Sequence, residues 1–124
     1  MAQLATKIID QEPAAPAAAI DLGQLARMTL GDRSLEREIL QLFDRQAGLL
    51  LARMHTGEPV VVATLAHTLK GSAASIGAAG VVLAAAAVER AASAADRDVA
   101  VVRLATAIDE ACAAIEGLLG ALEG

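Results

Sequence analysis

The stretch PVVVATLAHTLKGSAASI, residues Pro59 to Ile76, decides how this chain folds. Its apolar residues Val62, Leu65, Ala66, Leu69, Ala73 and Ile76 recur at steps of three and four, the period of a helix with one buried face. Pro59 suits the first helical turn, and Gly77 with Gly80 supplies the turn beyond.

Working outward, the same periodicity lays out further helices. Upstream, Gly57 stops a long helix over Ser34 to Thr56, with Leu35, Ile39, Leu42, Phe43, Gln46, Leu49, Leu50 and Arg53 on its apolar face. Before that, Asp21 caps a short helix running to Leu30 and closed by Gly31. Downstream, one helix spans Val81 to Ala95. Asp96 caps a last one carrying Val101, Leu104, Ala105, Ile108, Cys112, Ile115, Leu119 and Leu122. Short connections between amphipathic helices predict an all-α, antiparallel up-and-down four-helix bundle with a short additional N-terminal helix. Residues 1–19, with Pro13 and Pro16 among alanines, read as a loosely ordered tail or short helix, and 20–124 as the domain.

Composition agrees with helices: 56% of the 124 residues are apolar, Phe43 is the only aromatic, and alanine dominates. Gly71 to Val88 runs 18 residues without a charge, but three glycines interrupt it and few of its residues are strongly apolar, so no membrane span is expected. Lys7, Asp10 and Glu12 leave no room for a secretory apolar core near the start, and Cys112 is the only cysteine; both point to the cytoplasm. A net charge of −5 is the wrong balance for neutralising nucleic-acid phosphates.

On the Pro59–Ile76 helix, His67 falls roughly 200° around from Leu65 and Leu69, which turns its imidazole to water. Its neighbours one turn away are Ala63, Lys70, Gly71 and Ala74, three of them small. A mid-helix glycine costs about 1 kcal/mol relative to alanine, so Gly71 suggests that something approaches the backbone there. Lys70 brings a positive charge within reach of a phosphoryl group on the ring. A neutral imidazole is nucleophilic at physiological pH, and phosphoryl transfer is catalysed mainly by positioning and charge. Counting across a turn centred near Ala78 brings Glu89 or Arg90 level with His67, where a carboxylate could hold the inner ring nitrogen. The same count across Gly57 brings Gly48 level with it; with Gln41, Arg45 and Ala52 it lies off the apolar stripe and could extend a docking surface.

The segment Ala66-His67-Thr68-Leu69-Lys70-Gly71-Ser72-Ala73-Ala74-Ser75-Ile76-Gly77-Ala78 resembles the signature of histidine-containing phosphotransfer (HPt) domains. Weaker similarity covers Leu22 to Leu122, including Gly31-Asp32, Phe43 and Val88-Glu89. The resemblance implies a monomer that relays a phosphoryl group between the aspartates of receiver domains, those of a hybrid sensor kinase and of response regulators. It casts His67 as the phosphorylated residue, Lys70 as the charge partner, Gly71 as the clearance position and Glu89 as the residue orienting the imidazole. Ala63, Ala74, Arg90, Gly48 and Arg45 would form the docking surface. Some members place a second basic residue where this chain has Ser93, so Lys70 acts alone or with Arg90. No cofactor or metal site of its own is expected; magnesium would sit in the partner receiver.

Two other readings compete. A histidine-phosphorylation domain of a sensor kinase also exposes a helical histidine, but usually has an acidic residue directly after it, where this chain has Thr68, and it needs a nucleotide-binding domain. A non-catalytic helical adaptor would bind receivers with His67 incidental. On the relay reading the chain is a phosphotransfer intermediate without autokinase activity. His55 reads as a capping or surface residue, Phe43 as core, and Cys112 as a small buried hydrophobe.

Overall fold

The computed structural model describes residues 19–123, all-α with no strand among them. The expected tail, 1–19, lies outside the described residues except for Ala19. Five helices follow in order: α1 (Leu22–Thr29), α2 (Arg33–Met54), α3 (Pro59–Ser75), α4 (Ala79–Arg90) and α5 (Ala94–Glu123).

Side-chain caps open three of them. Asp21 accepts the Gln24 N–H at 3.1 Å, Asp32 accepts that of Leu35 at 3.1 Å, and the Ser93 hydroxyl accepts that of Asp96 at 3.1 Å. The expected cap at Asp96 is therefore corrected to Ser93. The fourth helix, expected to reach Ala95, ends at Arg90, because Ala91 turns extended and the Ser93 cap claims the next residues for α5. Gly80, expected in the turn, lies inside α4. The turn itself is made by Gly77 at φ 73°, where the Ala78 N–H reaches Ala73 O at 2.9 Å and the Gly77 N–H reaches Ala74 O at 3.2 Å. That is a Schellman closure, which satisfies the last carbonyls of α3.

Helix α3 packs on α4, α4 on α5, and α2 on both α5 and α3, with α1 laid across α2 and α3. The core lies between them: Leu40, Leu69, Ile76, Leu104 and Ile115 are fully enclosed, with Val62 and Val81 beside them. Alanines fill much of the remainder, including Ala47, Ala66, Ala73 and Ala85, so α3 and its neighbours approach closely. On α2 the buried stripe is Leu40, Phe43, Ala47 and Met54. Leu35, Leu42 and Leu49, expected on the core face, are exposed.

The hairpin of α3 and α4 is pinned from outside by α1. The Asp21 N–H donates to Gly77 O at 2.9 Å, and a Cβ on Gly77 would come within 2.5 Å of Asp21 Cβ and 2.9 Å of Asp21 N. This contact fixes the turn, and the turn fixes which residues of α4 stand beside those of α3.

Candidate functional site

The register set at Gly77 brings α4 alongside the solvent-facing side of α3 with Glu89 beside His67. His67 Nδ1 lies 3.0 Å from Glu89 Oε2, while the histidine side chain stays 72% exposed. Lys70, one turn further along α3, puts Nζ 2.7 Å from the other oxygen, Glu89 Oε1. The two groups are at ion-pair distance, with little water reaching that oxygen. One carboxylate thus holds both the ring and the lysine.

The Lys70 ammonium is the main reason the Glu89 carboxyl is held below its ordinary range; His67 adds to the effect, and partial desolvation opposes it. An ionised carboxylate only accepts hydrogen bonds, so the proton of a neutral ring belongs on Nδ1. Nε2 then keeps its lone pair, on a ring that is largely exposed. Such an imidazole is oriented, tautomerically defined and free to attack an electrophile on its outer edge.

The ground around the ring is low. Gly71 is exposed, and a Cβ built there meets nothing within 4 Å, so no packing inside the chain requires a glycine. Ala74 is exposed and Ala63 half-buried on the same side of α3, and Arg90 is exposed at the end of α4. Gly48 and Arg45 are exposed on α2. Gly48 is turned roughly 40° from Asp44, whose carboxylate lies beside Cys112 of α5, and roughly 120° from Leu42, which borders α3. It therefore sits on the α5 side of α2, away from the imidazole.

The α2 surface that does border α3 is a groove of about 230 Å³ whose walls include Leu42, Gln46, Ser72 and Ser75. Sequence reasoning missed it, because Leu42 had been assigned to the core. It also missed Val60, which is 78% exposed and stands two turns before His67 on nearly the same line of α3; a step of seven residues was the available signal.

The other singled-out residues have quieter settings. His55 is the exposed C-cap of α2, with its N–H on Ala52 O at 3.3 Å. Phe43 is core. Burial, with the Asp44 carboxylate beside it, pushes the Cys112 thiol up to about 12, which keeps it protonated and poorly nucleophilic. Among the described residues, no helix is long and apolar enough to cross a membrane.

An exposed imidazole held by a carboxylate on an all-helical domain has the chemistry a phosphotransfer module uses. Comparison with family models shows the class: residues 37–123 match the Hpt domain, and the chain belongs to that family, whose members act in histidine phosphotransfer and two-component signalling. Comparisons with curated proteins and with solved structures gave no match.

Proposed function

We propose that this protein relays a phosphoryl group between receiver-domain aspartates through phospho-His67. The observation that carries the reading is the ring itself, largely exposed and tied at Nδ1 to Glu89. In the accepting step the Nε2 lone pair attacks the phosphorus of a receiver's aspartyl phosphate. The N–P bond forms as the O–P bond breaks, and the aspartate leaves as a carboxylate. The Nδ1 proton stays on the ring against Glu89 while positive charge develops there, and Lys70 stands close enough to turn towards the incoming phosphoryl oxygens. Donation is the reverse, onto the aspartate of a second receiver.

The frame on this reading is an antiparallel up-and-down bundle of α2 to α5, with α1 over one end. Gly71, Ala63, Ala74 and Arg90 form the ground on which a receiver of a hybrid kinase or of a response regulator docks, with Arg45 its outer margin, while Gly48, on the α5 side of α2, lies outside it. Each chain carries a whole site, so one copy suffices for transfer. Magnesium belongs to the receiver's acidic pocket, and the relay runs in the cytoplasm, consistent with a lone cysteine.

The test is His67→Gln. The variant should keep the helical circular-dichroism spectrum and receiver binding, and lose phosphate uptake from a phosphorylated receiver. Uptake by the variant would overturn the reading. Labelling of the native protein by ATP alone would instead favour a kinase histidine domain, and receiver binding without any uptake an adaptor.

A further inference from the structure

The two oxygens of Glu89 are differently engaged. Oε2 lies 3.0 Å from His67 Nδ1, and Oε1 lies 2.7 Å from Lys70 Nζ where little water reaches it. A neutral amide in the same place could accept a hydrogen bond from Nδ1–H and orient the ring as well. What an amide lacks is the charge that holds a proton there. The other charged groups beside this pair on its own two helices are cations: Lys70 on α3, and Arg90, exposed at the end of α4. Among the described residues, none of Arg45 and Arg53 on α2 or Asp96 and Arg97 on α5 makes an ion pair or hydrogen bond with the ring or with Glu89. One carboxylate therefore faces Nδ1 without a second anion to share its task.

We infer that the charge of Glu89 keeps Nδ1 protonated once His67 carries a phosphoryl group, which makes Glu89 the positioning residue that holds the group ready to leave. This role rests on the relay reading and belongs to its second half, donation. With Nδ1–H in place, breaking the Nε2–P bond returns the electron pair to Nε2 and releases a neutral imidazole, while a carboxylate oxygen of the receiver bonds to phosphorus. Without that proton the departing ring would be an imidazolate, a far poorer leaving group. Imidazoles titrate near neutrality, so a phosphorylated ring beside a neutral partner gives up Nδ1–H as pH rises, whereas one beside a carboxylate keeps it to higher pH. Lys70 opposes this as a cation, yet its ammonium sits on the far oxygen. The result is a carrier that passes its load on rather than storing it, and does so through neutrality into mild alkali.

Loading the native protein and Glu89→Gln with phosphoramidate, a small N–P donor that needs no receiver, tests the role. Phosphorus NMR follows loss of the phosphoryl group from about pH 6 to about pH 9, a range that brackets imidazole titration. The glutamine keeps an acceptor for Nδ1–H, so the variant isolates the charge. At the acid end the two proteins should empty at similar rates. Towards the alkaline end the native rate should hold while that of the variant falls to about one tenth or less, and nitrogen NMR of Nδ1 should show the proton leaving the variant about one pH unit earlier. Donation to a receiver should follow the same two profiles. Parallel profiles, or a variant slower by one factor at every pH, would reduce Glu89 to orientation and sink the inference, as would a native ring that loses Nδ1–H as early as the variant's. Divergent profiles in a protein that exchanges phosphate with no receiver would support the proton-holding role and overturn the relay reading alone.

Discussion

Gly77 and Gly71 lie on one hairpin, yet the first is crowded by its own molecule and the second faces open space. At Gly77 the backbone is left-handed, and the neighbouring chain at Asp21 fills the volume a side chain would need. At Gly71 the backbone is ordinary helix with nothing near the missing Cβ. The first glycine is required by folding. The second weakens α3 without any packing return inside the chain, and on the relay reading it leaves room for a receiver. The crowded end sets the register that puts Glu89 beside His67, and the open stretch leaves that pair accessible.

The sharpest way to break this contrast is Gly77→Ala. Left-handed backbone strain and a clash with backbone atoms of Asp21 should cost about 2–4 kcal/mol, lowering the melting temperature by roughly 10–20 °C. A loss below about 1 kcal/mol would mean that the turn is not the lock described here. Asp21→Ala touches the same end more gently. It removes the α1 cap while leaving the Asp21 N–H on Gly77, so urea denaturation should register a loss of about 1 kcal/mol. Gly71→Ala should go the other way and stabilise α3 by about 0.5–1 kcal/mol. Gly71→Gln should by the same propensity keep or slightly raise the melting temperature yet slow transfer from a phosphorylated receiver by about tenfold or more. Equal transfer rates for the glutamine variant would remove the clearance argument.

How far the sequence could be read follows from the same residues. His67 was placed on the solvent side by its angle from Leu65 and Leu69, a local property of one helix. Glu89 was placed level with it by counting across a tight turn, and the two side chains meet at 3.0 Å because the closure at Gly77 adds no slack. On α2 the stripe was right at Phe43, Ile39 and Leu50 and wrong at Leu35, Leu42 and Leu49, because the helix has leucines on both sides and alanine at position 47 gives the buried side little hydrophobic weight. Which stripe is buried depends on where α3 and α5 lie, and no local period contains that. The end of α4 was missed for a related reason. Ala91, Ala92, Ala94 and Ala95 all favour helix, and only the hydroxyl of Ser93 starts a new one. Lys70 was assigned to a phosphoryl group, but without one its ammonium rests on the nearest carboxylate, a long-range contact that composition cannot show.

The smallest effect expected from the site comes from acid. Because the folded protein holds the Glu89 carboxyl below its ordinary value of 4.5, folding favours the charged form. The resulting stabilisation is complete above that value and fades as pH falls through the lowered one, when the carboxylate takes up a proton and releases Lys70. Glu89→Gln should therefore be less stable than the native chain by a constant margin near neutrality, and the margin should close in acid. Urea midpoints of both proteins across that range measure it. The margin will be small, since the pair lies near the surface and partial desolvation of the carboxylate offsets part of the attraction. A difference as wide in acid as at neutrality would show that Glu89 acts by shape rather than charge, and the account of one carboxylate holding ring and lysine together would have to be abandoned.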